Sequence, residues 1–539
     1  MYVAPNTTIR LIKDCPLDNG YEHTIFFMTE AAQNTYFMST LSGFTFSAQS
    51  YQRVNKGTLR VAQNAESLYA VNYLAFQNTA FGSKWFYAFV TRIDYINNGV
   101  SEITYEIDIL QTWHFDYKMM PTFVEREHIE NDAVGNNLVP ETLETGEYVT
   151  QTSTVDSTLE PLSIVLAAPF DRTYQPVSGG IYSQLFSGLC LIDFPMGYYP
   201  IDDPDHPGEY GPNVARAFIS GAGAQAANIV AAFLMPTCFV TAEGAAVFPA
   251  YHTKSMTKLT SGAIDTYTGV KNNKLYTYPY NFLYVTNQQG SGVEFPYEYF
   301  STTTCDFYVS GDMSPNPSVV LRPKNYKGVA LNTDEKMVLT GYPQIPFNID
   351  AFKAWLAMNA SNLAVDALSN AGTLAAGIMT ANPGVIAGGV MNVLRNVSSV
   401  YQHSIQPRQA KGGGGSITAC ALRYQNFLFM QKTVRGEFAR IIDDFFSLYG
   451  YATHRVKIPN RTGRPEWNYV KTANCKIDPG YPQDATPYTG TYPEVGVPAD
   501  DARRIEAIYN NGITFWHNPA HVGNYALANW APINPPAHS

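Results

Sequence analysis

Between Ala367 and Leu394 the chain carries no charged side chain, and from Asn359 to Leu394 Asp366 is the only one. That run is longer than the ~20 apolar residues a bilayer-spanning helix needs. It leaves two settings for the segment: a helical hairpin buried in a soluble core, or one that meets lipid under some conditions. Asn382-Pro383-Gly384 divides the stretch. Before the break, Leu368, Ala371, Ala375, Ile378 and Met379 recur at helical spacing, with Asn359, Asn362, Asp366, Asn370, Thr373 and Gly377 on the opposite face. After it, Ile386, Val390, Val393, Leu394 and Val397 form a second apolar stripe against Asn392, Asn396, Ser399 and His403. The pattern predicts two weakly amphipathic helices joined by a Pro-Gly turn. Pro383 and the glycines oppose a single continuous span, because they break helices. Gly384-Val385-Ile386-Ala387-Gly388 has the small-residue spacing of packed membrane helices, a weak signal alone.

The remaining composition favours β-structure. Charged residues make up 15% of the 539-residue chain, below the ~25% of an average globular protein, while aromatics reach 14%. Two to four domains are expected. The net charge of −10, with no large Lys/Arg cluster, opposes a tight grip on a phosphate backbone. Cys15, Cys190, Cys238, Cys305, Cys420 and Cys475 contain no CxxC spacing, so isolated thiols, several of them buried, are expected rather than a disulfide or zinc framework. The N-terminus lacks a basic-then-apolar leader pattern, so synthesis and folding in cytoplasm are expected.

Along the chain, Trp85 to Tyr95 reads as a strand, and Asn97-Asn98-Gly99 as its turn, with Gly99 expected at positive φ. The return strand places Ile103, Tyr105, Ile107 and Ile109 on one side and Glu102, Thr104, Glu106 and Asp108 on the other. Those acids fit a solvated sheet face or the lining of an acidic lumen. Leu162 to Ala168 reads as a mostly apolar strand. Residues 196–212 read as loop, in which Asp202, Asp203, Asp205, His206 and Glu209 lack the spacing of a calcium loop. Gly221-Ala222-Gly223-Ala224-Gln225-Ala226 is a truncated dinucleotide fingerprint. It reads better as the turn of a helical pair ending at Pro236. Strands are expected again at Cys305–Val309, Ser318–Leu321 and Lys336–Thr340, and around Phe427 and Phe429. A helix follows, with Phe438, Ile441, Ile442, Phe445, Leu448 and Tyr449 on one face, Glu437 in its first turn and Gly450 as C-cap. Asp500 caps a shorter helix closing at Asn511-Gly512, and Ile513 to His517 makes a last strand.

Several of these blocks carry a likeness. Leu68-Tyr69-Ala70, Phe76-Gln77-Asn78, Gly82 to Thr91, Tyr105 to Trp113 and Arg126-Glu127-His128 resemble the tail knob proteins of φ29-like podoviruses. So do Phe445-Phe446, Tyr449-Gly450-Tyr451, Arg455 to Asn460, Asn468 to Thr472, Asn511 to His517 and Gly523-Asn524-Tyr525. The likeness covers about 1–130 and 416–530, with the uncharged hairpin at the matching position, and fades from about 130 to 300.

The expected fold class is α+β, mainly β. The resemblance implies a β-rich tube-forming domain built from residues 1–130, 301–350 and 416–539, around an inserted central module at 131–300 and a membrane-active loop at 351–415. It implies a homohexameric distal tail tube in the virion that joins other tail proteins at the collar or connector. DNA would pass through it during ejection without tight or specific binding. The loops would plug the lumen and then enter the host cytoplasmic membrane as a channel, through Leu363, Leu368, Leu374, Ile378, Met379, Pro383, Ile386, Val390 and Leu394. Gly412, Gly413, Gly414 and Gly415 would serve as hinge, and Glu102, Glu106 and Asp108 as lumen lining. No cofactor and no catalysis are expected, since no HExxH helix, P-loop or GxSxG elbow is present. The alternatives are a receptor-binding adhesin and a cell-wall-degrading tail enzyme whose carboxylate pair meets only in space.

Overall fold

A computed structural model describes residues 6–49, 57–78, 84–159, 162–176, 181–182, 186–187, 190–239, 251–312, 318–340, 426–480 and 496–530. The chain divides into two compact units. The first gathers Met1–Glu144, Gly269–Leu275 and Glu437–Ser539, and the second Thr145–Thr268 and Tyr276–Gly436.

The first unit holds a six-stranded antiparallel sheet in the order Gly43–Gln49, Thr7–Lys13, Val71–Gln77, Trp85–Asn97, Val100–Ile107, Thr58–Val61. Within Val71–Gln77 the apolar run from Tyr73 to Phe76 is explained by burial on both faces. Tyr73 and Ala75 enter one core cluster, and Leu74 and Phe76 another. Val100–Ile107 alternates as its sequence predicts, with Ser101, Ile103 and Tyr105 turned inward. At the hairpin tip Gly99 does not use positive φ; its N–H is held by Asn97 Oδ1 at 2.9 Å.

A five-stranded sheet unites distant parts of the sequence, in the order His23–Ile25, Ile513–Trp516, Trp467–Ala473, Thr122–Glu127, Tyr451–Lys457. Thr122–Glu127 thus sits between two C-terminal strands. The helix Gly436–Tyr449 ends where expected, at Gly450. There φ is +65°, and an added Cβ would lie 2.1 Å from the Glu127 carbonyl oxygen. Its buried face differs from the expected one. Ala439, Ile442, Asp443 and Phe446 are buried, while Ile441 is 64% exposed. Asp443 turns inward because it accepts the backbone N–H groups of Lys271 and Asn272 at 2.8 and 3.0 Å. In Ala499–Asn511, Pro498 holds the cap position and Asp500 lies in the first turn, where a negative charge suits the helix dipole.

Among the described residues, the second unit contains three sheets of three or more strands. One has four strands, ordered Tyr148–Val155, Leu428–Val434, Asn281–Thr286, Gly292–Pro296. Another has three, with Leu162–Ala168 central between Cys190–Pro195 and Ala231–Pro236. The third runs Tyr251–Thr257, Thr304–Asp312, Ser318–Tyr326, Val329–Leu331, with Met337–Leu339 also on Ser318–Tyr326. Leu162–Ala168 is apolar except at Ser163, because Val165 enters one core cluster, and Ile164, Leu166 and Ala168 enter another.

Two differences from the sequence expectations stand out. Ala231–Pro236 is a strand, not the end of a helical pair; after Gly211–Gly221 only a short 3-10 turn, Gly223–Asn228, intervenes. The compact units also follow other lines than the expected domains. Thr304–Asp312 pairs with Tyr251–Thr257, and Leu428–Val434 with Tyr148–Val155, so both belong to the second unit. Strand composition alone does not reveal which partner a strand takes.

Candidate functional site

The acidic residues of Val100–Ile107 lie in the first unit, and each of its two glutamates meets an arginine. Arg60 stands opposite Glu102 in register, its Nε 2.7 Å from Glu102 Oε2. Arg504, on Ala499–Asn511, brings Nη2 to 2.6 Å from Glu106 Oε1. Asp94, opposite Glu102 on the other flank, is bonded to Arg92. The face is therefore mixed in charge.

Asp108 departs from the expected lining. The strand ends at Ile107, so alternation stops there, and Asp108 is 1% exposed. Its Oδ1 accepts the N–H groups of Leu110 and Gln111, capping Ile109–Thr112, and its Oδ2 accepts the Tyr73 hydroxyl at 2.9 Å. Burial raises its carboxyl to about 6, against those hydrogen bonds, which lower it. It faces the interior of its own unit. Leu363, Leu368, Leu374, Ile378, Met379, Pro383, Ile386, Val390, Leu394 and Gly412 to Gly415 lie outside the described residues.

The sequence blocks that carry the family likeness converge in the first unit. Glu127 Oε2 accepts the Asn460 N–H at 2.8 Å, and Lys457 pairs with the same carboxylate. Asn460 Nδ2 donates to the His128 carbonyl at 3.1 Å. His128 Nδ1 accepts the Tyr469 N–H at 2.8 Å, and Nε2 faces the Ser447 carbonyl at 3.1 Å. Only a neutral imidazole protonated at Nε2 satisfies both contacts, and burial, helped by the Arg464 charge, pushes this histidine down to about 3.

Beside these residues, Glu141 pairs with both Arg126 and Lys274 and accepts the Ala452 N–H at 3.1 Å. Burial lowers Lys274 to about 7. Asp132 accepts the Tyr451 hydroxyl at 2.7 Å and the Asn273 N–H at 3.1 Å. These bonds tie three separate stretches of the unit together through mutually satisfied groups, an arrangement suited to holding register. Spacing gave no hint of Glu141, Asp132 and Lys274, because they meet only in space; Arg126, Glu127 and His128 stand in one of the likeness blocks. A polar cleft of about 890 Å3, lined by Phe26, Asn131, Asn136, Arg455, Asn460 and Arg461 among others, opens beside them.

In the second unit, the 202–209 acids form a turn in which Asp203 Oδ1 accepts the N–H groups of Asp205 and His206. Among the described residues no group of His, Cys, Asp and Glu has metal-holding geometry. Cys15, Cys190, Cys305 and Cys475 are buried and Cys238 partly so, all as free thiols, while Cys420 lies outside the described residues. Burial pushes the thiols of Cys15, Cys238 and Cys305 up to about 12, which keeps them protonated.

Residues 5–118 match the family described as caudoviral major tail protein N-terminus, and residues 247–486 that of Bacillus phage phi29, tail knob protein gp9, C-terminal domain. Tail knob protein gp9 of Bacillus phage B103 is 24% identical, over 97% of this chain and 98% of its own length. The phi29 protein of the same description matches with the same identity and coverage. The solved structure of the bacteriophage C1 tail knob protein, gp12, shares the fold, with a TM-score of 0.61 at 14% identity over 96% of this chain and 98% of its own. Similarity therefore runs through the middle third, where the sequence reading found it fading. Over 97% of its length, the chain is similar to the tail knob proteins of phi29-like phages.

Proposed function

We propose that this protein is the distal tube of a short phage tail, a homohexameric ring that joins other tail proteins at the collar and conducts DNA during ejection. Its uncharged segment, Asn359 to Leu394, plugs the lumen and then enters the host cytoplasmic membrane as a channel. The observation that carries the reading is this stretch, charged only at Asp366 and split by Pro383-Gly384, within a chain related end to end to tail knob proteins. Six copies pool their polar faces around a water-filled passage, since backbone and polar groups must be satisfied inside a bilayer. The glycines from Gly412 to Gly415 give the segment freedom to leave the lumen.

Glu102 and Glu106 line the passage, while Asp108 does not. Each glutamate beside its arginine supports transit without capture, because a duplex grips rows of uncompensated cations and finds none on this face. The protein acts without catalysis. Mass photometry and class averages under mild conditions test the assembly: sixfold rings are expected, and a monomer alone contradicts it.

A further inference from the structure

The outer face of the four-stranded sheet in the second unit is an aromatic platform with carboxylates set among its rings. Phe282 lies on this face and is 2% exposed because two tyrosines cover it. Tyr148 meets it edge-on at 5.1 Å between centroids, and Tyr278 lies tilted at 5.6 Å. Both tyrosines remain open to solvent, Tyr148 37% and Tyr278 44% exposed. Tyr284, two residues beyond Phe282, shares the face. Its ring lies down on the neighbouring strand: a Cβ on Gly292 would stand 1.9 Å from the Tyr284 hydroxyl and 2.4 Å from Cζ. Glycine at that position lets the ring lie flat and present its π-face outward.

The polar groups are arranged around these rings. Glu294 stands opposite Tyr284 in register and accepts the Tyr278 hydroxyl at 3.1 Å. Glu298 accepts the Tyr278 N–H at 3.2 Å. Lys432, opposite Phe282, and Thr150, opposite Lys432, complete the row. The reverse face of the sheet is apolar and closed, with Leu283, Val285, Phe295 and Phe429 fully buried.

We propose that this face binds a ribbon-like β-1,4-linked pyranose polymer, its sugar rings stacking on Tyr148, Tyr278 and Tyr284 and its hydroxyls donating to Glu294 and Glu298. The chemistry follows from the surface. A pyranose offers an apolar C–H face, which suits a flat phenol ring, and a rim of hydroxyls, which suits carboxylates as strong acceptors. The exposed rings carry hydroxyls and alternate with charge, whereas a protein-binding patch is built around an apolar centre depleted in charge. An extended ribbon can run along rings spread over one sheet face; a coiled α-linked chain turns its sugars away from such a row. The proposal is independent of DNA conduction and membrane entry.

The test is isothermal titration of the full-length protein with chitohexaose and cellohexaose, and with maltohexaose as the coiled control. Saturable binding of at least one ribbon oligosaccharide is expected, about tenfold or more tighter than maltohexaose. Tyr278→Ala and Tyr284→Ala should each weaken it by about tenfold or more at unchanged melting temperature. Glu294→Gln, which leaves the ring packing intact, should weaken it by a smaller factor. Tyr251→Ala, on the neighbouring sheet that begins with Tyr251–Thr257, should leave it unchanged. Absence of binding by both ribbon sugars overturns the proposal, as does equal binding by the tyrosine variants. A change in oligomeric state on Tyr278→Ala, without sugar binding by the parent, also overturns it and assigns the face to a second copy of the chain.

Discussion

The two units both close over apolar cores, yet they hold their strands in register by different means. The first draws on three stretches of chain, and its five-stranded sheet pairs Thr122–Glu127 with strands more than three hundred residues away. Besides its apolar cores it holds a set of charged groups, Glu141, Arg126, Lys274, Asp132, Glu127 and Asp443, satisfied by partners in the same unit and by backbone N–H groups. The second unit builds its largest core from aliphatic and aromatic side chains, among them Phe295, Phe307, Leu321 and Phe429. Many of its strand pairs are local hairpins, such as Asn281–Thr286 with Gly292–Pro296 and Thr304–Asp312 with Ser318–Tyr326. Apolar contacts are non-directional. A sheet assembled from distant segments gains register from directional bonds, whereas a hairpin inherits register from its turn.

Substitutions that break the charged set of one unit and the apolar packing of the other should sharpen this contrast. Glu141→Ala removes the buried carboxylate that Arg126 and Lys274 share, and should destabilise the first unit by about 3–5 kcal/mol. Phe307→Ala, which empties a fully buried site ringed by Phe295, Phe300 and Phe429, should cost the second unit a similar 3–5 kcal/mol or so. Urea unfolding followed by tryptophan fluorescence separates them. Trp85, Trp113, Trp467, Trp516 and Trp530 all lie in the first unit, and Trp355 lies outside the described residues. Glu141→Ala should shift the fluorescence transition; Phe307→Ala should shift mainly the transition seen by circular dichroism.

Acid provides a subtler probe. His128, held neutral in the folded protein to about pH 3, gains a proton near 6.5 when unfolded. The unfolded state thus binds the extra proton between those values, so this contribution is intact above pH 6.5 and is lost as pH falls toward 3. Asp108, raised to about 6 from 3.8, takes up its proton first in the folded state and offsets part of that loss below pH 6. His128→Gln should flatten the acid dependence of the fluorescence transition, and the His128 ring resonances should not titrate near pH 6.5. The smallest effect belongs to the surface: Glu106→Gln, which removes a half-exposed pair with Arg504, should change stability by less than about 1 kcal/mol.

Legibility in the sequence followed the same contrast. Local period exposed Val100–Ile107, Leu162–Ala168 and the helix Gly436–Tyr449, because side-chain alternation and helical spacing are properties of contiguous residues. The helix's buried face was misread because Asp443 is fixed by Lys271 and Asn272, far away in the chain. Asp108 was misplaced because alternation holds only while the strand lasts, and the strand ends one residue earlier. Glu141, Asp132 and Lys274 could not be read at all, since they share neither a spacing nor an element. The likeness blocks did mark Arg126 to His128 and Arg455 to Asn460, which the fold brings together.

The central claim is that the uncharged segment acts on membranes while the two units fold without it. Deleting Asn359 to Ala410 and measuring dye release from liposomes tests this most directly. The variant should stay soluble, assemble into the same ring and release no dye, and Leu368→Asp or Ile386→Asp in the intact chain should reduce release without dissolving the ring. A charge at a bilayer centre costs about 3 kcal/mol on insertion scales, so Asn370→Asp on the polar face should matter less. A deletion variant that fails to fold would return the segment to the core, and one that folds and still permeabilises liposomes as well as the parent would contradict the account.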